Sequence, residues 1–166
     1  MRHTDVVVVG AGHAGLATSR CLTELGVEHV VLERGAVAQA WRDRWDSLRL
    51  LTPNWMHRLP GQAYGGAEPD GYMSRTELVG YLERYAGGID APLHTGVEVH
   101  SVKPCRGGYR VATSVGEWQA RALVNAAGVF SKSHIPDFAG GIPAHIHQLG
   151  AGEYRHAAQM ARGGVL

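Results

Sequence analysis

Asp5-Val6-Val7-Val8-Val9-Gly10-Ala11-Gly12-His13-Ala14-Gly15 decides the fold. The valines make a short apolar run of β-branched residues, and three glycines follow at G-x-G-x-x-G spacing. Ala14, Ala17, Cys21 and Leu25 then recur near helical spacing, so the order reads strand, tight turn, helix. Each glycine has its own task. Gly10 lets the chain leave the strand sharply, Gly12 lets backbone approach a pyrophosphate, and Gly15 lets the helix lie close to the strand. The helix N-terminus adds unpaired N–H groups and the positive end of a dipole. A second strand, residues 29–32, ends in Glu33, eighteen residues beyond Gly15. An acid there can accept hydrogen bonds from both hydroxyls of a ribose. The pattern is that of a dinucleotide-binding turn.

The 166 residues suffice for one domain, or one and a small part. A hydrophobic fraction of 45% is ordinary for a globular protein. The net charge of +1 and pI near 7.9 imply no field-driven affinity for nucleic acid or an anionic membrane. No apolar run reaches the ~18–20 residues that span a bilayer. The apolar N-terminal run leads straight into the glycine turn, with no small-residue cleavage site, so it is not a signal peptide. Cys21 and Cys105 form no C-x-x-C, which fits a reducing cytoplasmic setting.

The first helix is expected from about residue 14 to 25, stopping at Gly26. Residues 41–55, rich in Trp and Arg, are too irregular for one element, and residues 60–71 are loop by their Gly and Pro content. A second helix starts at Ser74, where Ser74 and Glu77 have capping-box spacing. Leu78, Val79, Leu82, Tyr85 and Ala86 form its apolar face, and Gly87-Gly88 end it. Strands are expected at 97–102 and 109–113 with Gly107-Gly108 between them, then at 118–120 and 122–126. After Gly128 periodicity is lost. The fold class is therefore α/β: a Rossmann-like domain with a parallel sheet, flanking helices and a small antiparallel β-meander. A nicotinamide domain more usually continues β-α-β-α without a meander, which favours FAD as the first nucleotide.

Further segments carry a family resemblance. They are Trp41-Arg42 with Trp45-Asp46-Ser47-Leu48-Arg49-Leu50-Leu51-Thr52-Pro53, then Ser74-Arg75-Thr76-Glu77-Leu78, and Asn125-Ala126-Ala127-Gly128. With Gly10–Gly15 and Glu33, they resemble the N-terminal part of bacterial flavin-dependent monooxygenase-like oxidoreductases. These are relatives of the flavin-containing and Baeyer–Villiger monooxygenases among the flavoproteins with two dinucleotide domains. The resemblance implies FAD in the first domain, reduced by NADPH from a second, and oxygenation of a small-molecule substrate through a C4a-peroxyflavin. It also implies that Glu33 holds the adenosine ribose, Arg34 lies over the adenine edge, and Val99 contacts adenine through its backbone. Trp41, Arg42, Leu48 and Thr52 would line the isoalloxazine or ribityl region. Ala127 and Gly128 stand at the strand end, where Gly128 lets the chain pass the pyrophosphate. His13 and Ala14 belong to the same phosphate turn. No catalytic residue is assigned.

Residues 150–154 lack the His and Ser of the family's His-Ser-x-x-Tyr segment. Phe138-Ala139-Gly140 begins an F-x-G-x-x-x-H fingerprint, but Ala144 stands at the histidine position and His145 one residue later. Residues 1–135 are read as the FAD-binding domain, and 136–166 as a connector and the start of a missing NADPH-binding domain that opens at Gly163-Gly164-Val165-Leu166. On this reading the chain is truncated: a fragment, a pseudogene product, or one half of a split pair whose partner is a separate C-terminal half. A homo-oligomer is the other partner considered. The alternative function is an adenine-dinucleotide module without redox turnover.

Several residues have two readings. Cys21 is expected to pack in the core. His13 reaches a phosphate or flavin edge, or is exposed filler. Trp41, Trp45 and Trp55 stack on flavin or fill the core. Arg42, Arg44 and Arg49 clamp phosphate or face solvent. His145 and His147 form H-x-H without further ligands, so no metal site is expected. No cysteine lies in residues 35–60, which disfavours the redox-disulfide class.

Overall fold

The computed structural model describes residues 1–129, 134–160 and 162–164. The strand start expected at Val165-Leu166 lies outside them.

The chain runs β1 (Arg2–Val9), α1 (His13–Glu24), β2 (His29–Glu33), a single turn α2 (Gln39–Arg42), a short hairpin β3 (Arg58–Leu59) and β4 (Gln62–Ala63), and α3 (Arg75–Gly88). Then come β5 (Leu93–Thr95), β6 (Val99–Cys105), β7 (Gly108–Thr113) and β8 (Gly116–Asn125). Beyond β8 only 3-10 turns occur among the described residues, at Asp137–Gly141 and Ala157–Gln159. Six strands form one sheet in the order β5-β2-β1-β8-β7-β6. The first four are mutually parallel, and β8, β7 and β6 are antiparallel.

The period-two alternation of strands divides β1 and β2 between two cores. Val6, Val8 and Val31 pack with Leu16 of α1 and Leu78, Leu82 and Tyr85 of α3. Val7, Val30 and Leu32 pack with Val97, Val111 and Trp118 of the meander side. The sheet is thus covered by helices on one side and closed by its own curled meander on the other. The two strands expected at 118–120 and 122–126 are one continuous β8, and the meander is part of the main sheet. Residues Trp118–Ala120 pair with β7 on one edge and β1 on the other.

Both helix ends follow local chemistry. α1 closes with a Schellman arrangement: Gly26 N–H donates to Thr23 O at 3.0 Å and Val27 N–H to Leu22 O at 2.9 Å, with Gly26 at φ +66°. α3 opens on the capping box: Ser74 N–H donates to Glu77 Oε2 at 2.8 Å and Glu77 N–H to Ser74 Oγ at 3.3 Å. The Ser74 hydroxyl, which donates to Glu77 Oε2 at 2.7 Å, and then the Ser74 N–H hold the Glu77 carboxyl below its usual range. Gly87 and Gly88 end α3 as expected, as its last two residues, and Ile89 caps it from a buried position.

The face of α1 corrects the sequence reading. Ala14 and Cys21 are exposed, and Leu25 is 75% exposed. The buried residues are Gly15, Leu16 and Ser19. Cys21 therefore faces solvent. Close approach is confined to Gly15, Leu16 fills the core beside it, and Ser19 enters the core because its hydroxyl bonds His29 Nε2 at 2.8 Å.

Candidate functional site

The glycine turn is built from contacts a side chain would break. Gly10 has φ +104°, and a Cβ there would stand 2.5 Å from Ala126 O. At Gly15 a Cβ would stand 1.8 Å from Gly10 O, so this glycine sets how closely α1 approaches the turn. Gly12 differs. It is the N-cap of α1, in extended conformation, with no side-chain cap, and a Cβ there meets nothing within 4 Å. That open space lies before the uncapped first-turn N–H groups, where an anion would be held.

Ala11 locks the turn. Its N–H donates to Glu33 Oε2 at 2.8 Å, and its carbonyl accepts from Ala38 N–H at 3.0 Å. Glu33 Oε1 accepts from Gly35 N–H at 2.9 Å. The carboxylate is 9% exposed and spans the glycine turn and the loop after β2. A carboxylate has about four acceptor sites, so Glu33 keeps unused lone pairs at the cleft while holding the fold.

A cleft of about 450 Å³ opens at the C-terminal ends of β1, β2 and β8. The chain leaves β1 toward β2 on one side and returns as β8 on the other, a topological switch point where open α/β sheets bind ligands. Gly10, Gly12, His13 and Ala14 form one wall, and Glu33 and Arg34 stand at the end of β2. Trp41 contributes from α2, Val99 from β6, and Ala127 and Gly128 from the chain leaving β8. The structure adds Gln39, Arg44, Val97 and Glu98 to this wall. Val97 arrives because its N–H donates to Glu33 O at 2.9 Å, a long-range bond with no sequence signature. Arg44 had a signal, its place in the Trp-Arg segment. Among the three tryptophans Trp41 alone lines the cleft, and Trp55 is 50% exposed.

Four named residues lie elsewhere. Gly15 is buried beneath Gly10. Arg42 donates from Nε to Val37 O at 3.1 Å and pairs with Glu83 of α3. Leu48 is buried, and its carbonyl accepts from Arg75 N–H at 3.0 Å. Thr52 is exposed, its Oγ1 2.9 Å from His57 Nε2. α3 draws this stretch away from the turn. Arg75 Nη1 donates to Arg44 O at 2.7 Å and lies 3.0 Å from Asp46, and a β-bridge joins Arg49 to Ser74.

His13 is the first residue of α1, and its ring stands edge-on to that of Trp41, with centroids 5.6 Å apart. Burial holds its imidazole below the ordinary histidine value, and the charge of His57 pushes the same way.

A parallel sheet with a glycine turn, an uncapped helix N-terminus and an acid ending the second strand defines a dinucleotide-binding α/β domain. The chain belongs to the pyridine nucleotide-disulphide oxidoreductase family, whose model matches residues 7–164. Within it the chain is flavin-monooxygenase-like and corresponds to the N-terminal region of the family's two-domain flavoprotein oxidoreductases. It is 36% identical over its full length to a CzcO-like oxidoreductase of Geobacillus kaustophilus, covering 48% of that protein. It is also 36% identical to indole-3-pyruvate monooxygenase YUCCA1 of Oryza sativa, over 89% of this chain and 38% of the relative. The flavin-containing monooxygenase of Stenotrophomonas maltophilia superposes with a TM-score of 0.74 at 30% identity, over 82% of this chain and 42% of that one. The chain spans about half the length of the curated CzcO relatives it matches. Cys21 lies on α1 and Cys105 at the end of β6, so the disulfide chemistry in the family's name has no cysteine pair here. Among the described residues no helix is long and apolar enough to cross a membrane.

Proposed function

We propose that the cleft is the adenosine-diphosphate half of an FAD site, in the N-terminal part of an NADPH-dependent flavin oxidoreductase of the monooxygenase type. The open space at Gly12, before uncapped N–H groups, carries this reading. The glycine turn would hold the diphosphate, with Gly128 leaving room for it. Glu33 would accept from the ribose hydroxyls, and Arg34 and the Val99 backbone would meet adenine. Bound flavin supplies electron transfer and oxygen activation. The protein's share is to fix the nucleotide on rigid elements and to keep water from the reacting end.

Arg42, Leu48 and Thr52 lie outside the cleft wall, so the reading assigns the adenosine end to this cleft and leaves the isoalloxazine end unassigned. A small-molecule substrate with an oxidisable heteroatom or a ketone, and a cytoplasmic location, complete the proposal. The two cysteines without a disulfide fit that compartment. The test is calorimetric titration with FAD, ADP and FMN. FAD and ADP bind and FMN does not. Binding of FMN with none of ADP would refute the assignment.

A further inference from the structure

His13 occupies the middle of the glycine turn, where an aliphatic residue would satisfy the backbone equally well. Its ring lines the cleft and leans edge-on against Trp41. Among the described residues neither ring nitrogen meets a hydrogen-bond partner. An imidazole with an idle donor and an idle acceptor thus stands at the helix end that attracts anions.

We infer that His13 couples dinucleotide binding to proton uptake: it faces the cleft as a neutral imidazole and becomes a charged hydrogen-bond donor when a diphosphate settles on the N-terminus of α1. This rests on the cleft being the dinucleotide site proposed above. Three influences disfavour the charged ring without ligand. Burial disfavours the charged form, and His57 adds like charge. The positive end of the α1 dipole acts in the same sense. The other charged groups in the cleft are Glu33 and Arg34 at the end of β2, Arg44 after α2 and Glu98 before β6. Glu33 is already tied to the N–H groups of Ala11 and Gly35. A diphosphate brings two negative charges beside the ring and reverses the balance. The proton comes from the buffer, and no bond within the ligand changes.

The sign follows. His13 titrates below its ordinary value without ligand, and above that free value with ligand. Between the two, binding takes up a proton, so affinity rises as pH falls through the bound-state value and levels off below the free one. Over that window the linkage amounts to at most about tenfold per pH unit.

The experiment is titration of the chain with FAD from pH 5.5 to 8, in buffers of different ionisation enthalpy, so that the calorimeter counts protons. Wild type is expected to bind about three- to tenfold more tightly at pH 6 than at pH 8, with net proton uptake. His13→Gln removes the slope and the uptake while retaining a folded far-ultraviolet spectrum. His57→Gln, which keeps His13 and removes the neighbouring charge, moves the window to higher pH. FAD binding with no pH slope in wild type, or the same slope in His13→Gln, would overturn the proposal and leave the cleft reading standing. No FAD binding at any pH would remove both.

Discussion

Replacing glycines of the turn one at a time separates folding from ligand binding. Gly12→Val places its side chain where nothing lies within 4 Å, at φ −92° and ψ −164°, extended backbone that valine adopts without strain. The folded-state loss is that of a poorer N-cap, about 1 kcal/mol or less. For a chain of this size that lowers Tm by roughly 2–4 °C. The same side chain fills the approach to the first-turn N–H groups. Losing two charge-assisted bonds of about 1.5–3 kcal/mol each weakens a dinucleotide by at least about 100-fold. Gly15→Ala behaves in the opposite way. Its Cβ would stand 1.8 Å from Gly10 O, and Gly10 is itself backed by Ala126, so backbone must move. A cost of about 3 kcal/mol or more lowers Tm by roughly 6–12 °C. Thermal unfolding by circular dichroism and FAD calorimetry on both variants decide the matter. A Gly12→Val protein that binds FAD like wild type would show that the turn is not the phosphate cradle. One destabilised as much as Gly15→Ala would refute the argument from open space.

Glu33→Ala loses stability as well as affinity, by about 2–3 kcal/mol, because the buried Ala11 N–H loses its acceptor. Urea unfolding without ligand measures it, and an unchanged midpoint would contradict the bridging role. Ser74→Ala lowers stability by about 1 kcal/mol through loss of the capping box, read from the same denaturant midpoint. Leu82→Ala, at a fully buried position of α3, lowers it by about 2–5 kcal/mol. A polypeptide of these 166 residues, supplied with excess FAD, oxidises NADPH no faster than free FAD, because its sequence holds one G-x-G-x-x-G turn to position two nucleotides. Oxidation well above that control, rising with an added sulfide, amine or ketone, would overturn this.

The glycine turn, the end of α1 at Gly26 and the start of α3 at Ser74 are legible in the sequence because each is fixed within a few residues by backbone conformation or a local hydrogen bond. What was hidden depends on distant partners. The buried face of α1 is marked by Gly15 and Ser19, residues that hydrophobic periodicity discounts. β5 is three residues long and is recruited by pairing with Val31–Glu33. Ala38 adopts a left-handed conformation at φ 61°, which its residue type does not announce, and from there donates to Ala11. The cleft wall divides in the same way. The turn and Glu33 are local signals, whereas Val97, Glu98 and Gln39 arrive through the sheet and the α2 turn. The placement of Arg42, Leu48 and Thr52 outside the cleft follows from the grip of Arg75 and Glu83 on their segment.

The double pairing of β8 sets the order in which this domain can assemble during synthesis. Arg2 at the start of β1 pairs with Trp118, and Val9 with Asn125, so the central strand gains its second neighbour only after about 100 further residues have been made. At roughly 5–20 residues per second that is a wait of about 5–20 s. The last wall of the cleft, from Ala126 to Gly128, is made later still. On the reading proposed above, a nucleotide therefore has no complete site on the nascent chain until the sheet has closed. It enters after the folding barrier, so it should slow unfolding and leave the refolding rate unchanged.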